Sequence, residues 1–383
     1  LDRRLQRRFD DRTGRREKRM DLTLDCFNHR LATVAGELAL CFVVTFAGCG
    51  GGGAQQGQGL WVANGTNVVE FTPAQTRASM TTPAPAPHLA LNSAVFGAPQ
   101  GVVFDGAGAL WVIDGGTVAT GGSVAPALQK FTAAQLAALN TTGSPLPSVT
   151  IAPGVFKFPQ QAVFDIQGQL WVSDNGANAV YVFTAQQLAA SSTTLTPAIT
   201  ITSNPAFNGP LGIAFDAQGN LYVANNATTT IFKFKAGTLP SGAGAFEAAP
   251  DVVLSDDGQG SIQGPWALAF DFAGNLWSSN ANAPDTVVQF ASNSLGATGA
   301  PTPAVTLAPT SVGGNASLVA PNGIGFDSHG DLATISANAP FGAALFSARQ
   351  LVAGGAVAPA SLLVGAATTL NAPAGCIFGP EVD

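Results

Sequence analysis

The apolar residues of this chain fall into short runs broken at a recurring phrase. "PQGVVFDGAGALWVID" (99–114), "PQQAVFDIQGQLWVSD" (159–174), "PLGIAFDAQGNLYVAN" (210–225), "PWALAFDFAGNLWSSN" (265–280) and "PNGIGFDSHGDLATIS" (321–336) are five copies of it. Each reads as two strands about a tight Asp-x-x-Gly turn, with the Asp side chain capping the turn and the Gly taking a left-handed position. The runs are apolar almost throughout rather than alternating, the pattern of strands buried on both faces.

Two more strands follow in each period. The third ends at an aromatic, as in "AVYVF" (179–183) and "TIFKF" (230–234). The fourth is a Thr/Val run such as "AITIT" (198–202) or "AVTLA" (304–308). Between them stands Thr or Ser followed three residues later by Gln, in "FTPAQ" from Phe71, "FTAAQL" from Phe131, "FTAQQL" from Phe183 and "FSARQL" from Phe346. That is a capping box, and it predicts a short helix at each copy.

The Phe-Asp dipeptides lie 60, 51, 55 and 56 residues apart. Four strands per period of this length predict an all-β propeller. Second strands begin at Leu60, Leu110, Leu170, Leu221, Leu276 and Leu332, so six four-stranded blades are expected across residues 59–383. The chain enters on a second strand and ends on a first strand, "PAGCIFG" (373–379). The C-terminal strand is therefore expected to pair into the N-terminal blade and close the ring. Trp61, Trp111, Trp171, Tyr222 and Trp277 recur in register, either as wedges between blades or as a stacking platform for a ligand.

The N-terminal part has a different character. Residues 38–47 are apolar but too short to span a bilayer, which suits a signal-peptide core. Ala47 and Gly48 precede Cys49, and glycines follow. The segment resembles a bacterial lipobox, with Phe46 where Leu is usual. The resemblance implies a lipoprotein signal, a lipidated Cys49 and a flexible Gly/Gln-rich tether at residues 49–58. Residues 1–30 are long and mixed in charge where a signal has a short basic start, so residues 1–48 read as a mis-started N-terminus plus that signal. An ordinary secretory signal and a membrane anchor are the other readings. A lipid on Cys49 would hold the protein in the bacterial cell envelope, facing periplasm or exterior.

From Cys49 onward six Lys/Arg stand against sixteen Asp/Glu, a net charge of −10. Such a surface is a poor nucleic-acid binder, because phosphate contacts need cations. Cys26, Cys41, Cys49 and Cys376 form no CxxC or Cys/His cluster, so no zinc site is expected. Cys376 sits in an apolar run and reads as a small hydrophobe.

The phrase P-x-G-[IV]-x-F-D-x-x-G-x-L-[WY]-V-x-[ND] resembles the NHL repeat and the wider gluconolactonase-like superfamily of six-bladed propellers. The likeness covers about residues 57–380. It implies a fold shared by enzymes, receptors and scaffolds. In such a propeller the first strands line a central channel. The residues after the strand-initial prolines form an inner ring at its mouth: Gln100, Gln160, Leu211, Trp266, Asn322 and Ala374. The ends of the second strands form an outer ring: Asn64, Asp114, Asp174, Asn225, Asn280 and Ser336. Gluconolactonase-like enzymes place metal ligands on the inner ring, and Pro321-Asn322-Gly323 matches their Asn. The inner ring here has no carboxylate, so neither a metal nor another cofactor is expected.

The candidate ligand-binding residues are Gln100, Gln160, Trp266 and Asn322, with Asp114 and Asp174 nearby; no catalytic residue is assigned. The loop 114–124 is expected to overhang them. Amides and an aromatic suit a neutral sugar or peptide, or an envelope protein; a water-filled channel with structural amides is the other reading. The outer-ring Asp and Asn recur in nearly every blade, as turn caps would. The reading is a non-enzymatic binding module; the alternative is a divergent metal-dependent lactonase or hydrolase.

Overall fold

The computed structural model describes residues 58–78, 84–119, 122–139 and 141–382. The signal, Cys49 and nearly all of the tether lie outside the described residues. Six four-stranded antiparallel sheets form the blades of a propeller. Blade two is typical: Pro99–Phe104, Leu110–Asp114, Ala127–Phe131 and Val149–Ile151, in that order from the axis outward. The inner strands of blades three to six are Pro159–Phe164, Pro210–Phe215, Pro265–Phe270 and Pro321–Phe326. Blade one takes its inner strand, Pro373–Pro380, from the other end of the chain. That strand pairs antiparallel with Gln58–Asn64, Trp61 facing Ile377 and Val62 facing Cys376. The ring therefore closes as the chain's two end strands predict.

The inner strands crowd one another, and this explains the P-x-G triplet. A Cβ on Gly101 would lie 2.6 Å from the Gln160 carbonyl oxygen, and one on Gly212 would lie 2.5 Å from that of Trp266. On Gly375 it would lie 2.7 Å from that of Gln100. Glycine is a steric requirement there.

The recurring aromatics are wedges. Trp61, Trp111, Trp171, Tyr222 and Trp277 each pack on the Phe of the next blade's Phe-Asp pair, mostly edge to face, with centroids 5.1 to 6.3 Å apart. The Asp of the turn anchors the indole as well. Asp105 Oδ2 accepts from Trp111 Nε1 at 3.1 Å, Asp165 from Trp171 at 2.8 Å and Asp271 from Trp277 at 2.9 Å. In blade one the closing strand interrupts the phrase, and the Pro380 carbonyl accepts the Trp61 indole N–H instead. The other carboxylate oxygen of each turn Asp accepts two backbone N–H groups, at Asp105 from Ala107 and Ala109. Gly108, Gly168, Gly219, Gly274 and Gly330 all have the expected positive φ, from 74° to 80°.

The capping-box helices form at Pro73–Arg77, Ala133–Ala137 and Ala348–Ala353. The fourth copy departs from expectation. Thr184 and Gln187 exchange their capping bonds, but only a 3-10 turn, Gln187–Ala189, follows. These helices sit beside the Asp-x-x-Gly turns: Cβ atoms on Gly108 and Gly330 would touch Ala133 and Ala348. Turns and helices thus share one face of the disc, and the crossovers between blades lie on the other.

Candidate functional site

The inner-ring residues are set by a shared irregularity. In blade two Pro99 pairs with Asp114 but Gly101 already pairs with Ile113, so Gln100 is the extra residue of a β-bulge. The same shift follows Pro159, Pro210, Pro265 and Pro321, and the closing strand has one at Asn64. A bulge re-aims its extra side chain, here at the mouth of the channel. Around the ring the order is Ala374, Gln100, Gln160, Leu211, Trp266, Asn322. Polar Asn322, Gln100 and Gln160 therefore flank one half, and apolar Leu211 and Trp266 the other. Gln160 and Asn322 belong to blades three and six, on opposite sides of the axis.

Two polar atoms of this ring lack protein partners. Gln160 and Asn322 are each 2% exposed. Asn322 Nδ2 donates to the Pro373 carbonyl at 2.9 Å, but its Oδ1 has no partner. Gln160 Nε2 has none either. Gln100 is half-buried and turns its amide N–H to the Ala98 carbonyl at 3.1 Å. Trp266 is also half-buried.

The outer ring does different work. Asp114 is 0% exposed; Oδ2 accepts from the Gly97 amide at 2.7 Å, and Oδ1 accepts from Ala98 and Gly116, each at 2.8 Å. Burial pushes its pKa up, and those three backbone donors pull against the shift. Asp174 accepts from the amides of Lys157, Phe158 and Ala177. Asn225, Asn280 and Ser336 accept from Asn208, Gln263 and Val319, each seventeen residues upstream, and Asn64 accepts from Asn371 across the closure. All six members of this ring pin the crossover that enters their own blade. Asp114 and Asp174 thus sit behind the mouth and position it.

The donor set does not fit a hard divalent cation. The bulge positions offer two glutamines and one asparagine, and the two carboxylates nearby are taken up by backbone N–H groups. Among the described residues no three His, Cys, Asp or Glu side chains converge. Cys376, on the inner strand of blade one, lies against the apolar seam with blade six. It is half-buried, and burial pushes its thiol up to about 12.

Phe158 completes the mouth. The residue before the strand-initial Pro is Ala98, Gly209, Gly264, Ala320 or Ala372 in the other blades. In blade three it is Phe158, 38% exposed. A Cβ on Gly115 would meet both its ring and Gln100, so the start of the long loop touches the mouth. That loop continues as a small hairpin, Thr117–Ala119 with Gly122–Val124.

No family model matches the chain, and neither does any curated protein. Solved structures do match. A chain in the crystal structure of a nidogen/laminin complex superposes with a TM-score of 0.58 at 14% identity, covering 84% of this chain and 98% of that one. A protein of unknown function from Bacteroides caccae gives 0.56 at 11%, covering 85% and 100%. A putative 6-phosphogluconolactonase from Bacteroides fragilis gives 0.54 at 12%, covering 84% and 98%. At these identities the likeness is one of fold, and the fold is shared by unlike functions.

Proposed function

We propose that this protein is a lipid-anchored propeller of the bacterial cell envelope that binds a neutral ligand, a sugar or an uncharged peptide segment, at its channel mouth without turning it over. The observation that carries the reading is the pair of unpartnered atoms, Gln160 Nε2 and Asn322 Oδ1, on buried side chains of opposite blades. A buried donor and acceptor left unpaired each cost about 1–3 kcal/mol. A ligand with complementary amide or hydroxyl groups recovers that cost. Trp266 and Phe158 supply the apolar surface on which such a ligand stacks. Asp114 and Asp174 act as positioning residues that hold the crossovers.

The alternative, a divergent metal-dependent lactonase or hydrolase, has the free Oδ1 of Asn322 in its favour. Thermal unfolding separates the two. The midpoint is expected to be unchanged by a chelator and by calcium, magnesium, manganese or zinc. A chelator-reversible rise overturns the metal-free reading, because a ligand of the folded state must raise the midpoint. A panel of neutral oligosaccharides and peptides is then screened the same way, and Gln160→Ala is expected to remove any shift found. Attachment rests on Cys49: labelled fatty acid is expected to enter the wild-type protein and not Cys49→Ser.

A further inference from the structure

One blade lacks its wedge. Ala333 stands where the other blades carry Trp61, Trp111, Trp171, Tyr222 and Trp277. In blades two, three and five three groups surround the indole: the Asp of its own turn, the residue opposite on the third strand and the Phe of the next blade. The corresponding groups in blade six are Asp327, Leu345, which pairs with Ala333, and Phe378. All three line a cleft of about 220 Å³ on the seam between blades six and one; Ala333 itself is 0% exposed and lies outside the lining. Thr76 and Arg77, from the helix of blade one, and Asp331 line it too. A cavity of roughly 150 Å³ engineered in another protein takes up benzene, so this cleft has room for one ring or a fused pair.

The polar end of the seat is preserved. Asp327 is 5% exposed. Its Oδ1 holds the turn through the amides of His329 and Asp331, at 2.8 and 2.9 Å, as in the other blades. Its Oδ2, the atom that accepts an indole N–H elsewhere, accepts instead from Arg77 Nη2 at 3.0 Å. The Arg77 side chain is 47% exposed, so it can swing aside. Leu345 replaces the Lys130 and Lys233 of blades two and four and makes the floor apolar. The chain cannot fill the seat with its own tryptophan, since all five are placed elsewhere.

We propose that this seam binds a flat aromatic molecule bearing a ring N–H, an indole-type compound, at the outer end of the place the missing side chain would take. Its ring packs on Phe378, and its N–H donates to Asp327 Oδ2. The site lies on the turn-and-helix face, away from the channel mouth, and stands independently of the function proposed for the mouth.

The probe is indole, titrated to about 10 mM into the full-length protein, with the thermal midpoint as the readout. A rise of about 2 °C is expected. 1-Methylindole, which fills the same space without the N–H, is expected to need roughly tenfold more for the same rise. Ala333→Trp brings the chain's own indole against Asp327, Leu345 and Phe378 and is expected to abolish the response. No rise with indole, an equal response to 1-methylindole, or an unchanged response in Ala333→Trp overturns the proposal. Should Ala333→Trp fail to fold, Asp327→Asn decides. It keeps the turn acceptor and is expected to erase the preference for indole over 1-methylindole; an unaltered preference overturns the assignment.

Discussion

At the scale of single residues, the same side chain answers to opposite forces at the two faces of the disc. Burial would raise the Asp105 carboxyl, but the Lys130 ammonium, the Ala109 amide and the Trp111 indole outweigh it and hold the group below the usual carboxylate range. Asp114 is raised because burial outweighs its backbone donors. The signs decide how each variant responds to acid. A depressed carboxyl stabilises the fold above its unfolded value, about pH 3.9, and loses that contribution as pH falls through its folded value. Asp105→Asn is therefore expected to lower stability at pH 7 and to match the wild type near pH 2, as read by urea unfolding at each pH. Asp114→Asn is expected to show the opposite trend with pH, since a raised carboxyl favours the fold at low pH and loses that as pH rises through its folded value.

At the scale of elements, the turn, the wedge and the inner strand form one device repeated around the ring. Trp111→Ala removes a packed indole from the seam with blade three and leaves Asp105 one donor short. A loss of about 3–5 kcal/mol is expected. Trp111→Phe keeps most of the packing but not the N–H, with a loss of about 1–2 kcal/mol. Denaturant unfolding of both variants separates the two contributions. This device was legible in the sequence because its parts are local. The Asp-x-x-Gly turn, the capping box and the aromatic lie within one period, and repetition marks them. The bulges were not legible, since P-x-G does not announce that its middle residue is unpaired. The role of Asp114 and Asp174 was half legible: recurrence pointed to capping, but their partners lie seventeen residues upstream, beyond any local turn. Phe158 carried a signal, as the one large residue before a strand-initial proline. The cleft over Asp327 needed the structure, because its shape depends on how neighbours repack around Ala333.

At the scale of the whole molecule, each blade leans on the next. The excursion between third and fourth strands reaches back over the previous blade's outer edge. Thr142–Gly143 pairs in parallel with Leu89–Asn92, and Gly244–Ala248 with Ile199–Ser203. Single bridges at Ile151–Ser192, Leu254–Gly299 and Leu307–Gly355 do the same for blades two, four and five. Edges that would template aggregation are covered this way. Pro373–Pro380 supplies the whole inner strand of blade one, so deletion of 373–383 is expected to open the ring. Light scattering and thermal unfolding check this, and a monomeric, equally stable truncation would refute the closure.

The closing strand also fixes an order of events in time. Gln58–Asn64 leaves the ribosome first among the blades, and its partner strand leaves last. At ~5–20 residues per second the interval is on the order of 15–60 s. Through that interval blade one has no inner strand, so the ring stays open while blades two to six are made. Such a chain remains open until Pro373–Pro380 has emerged.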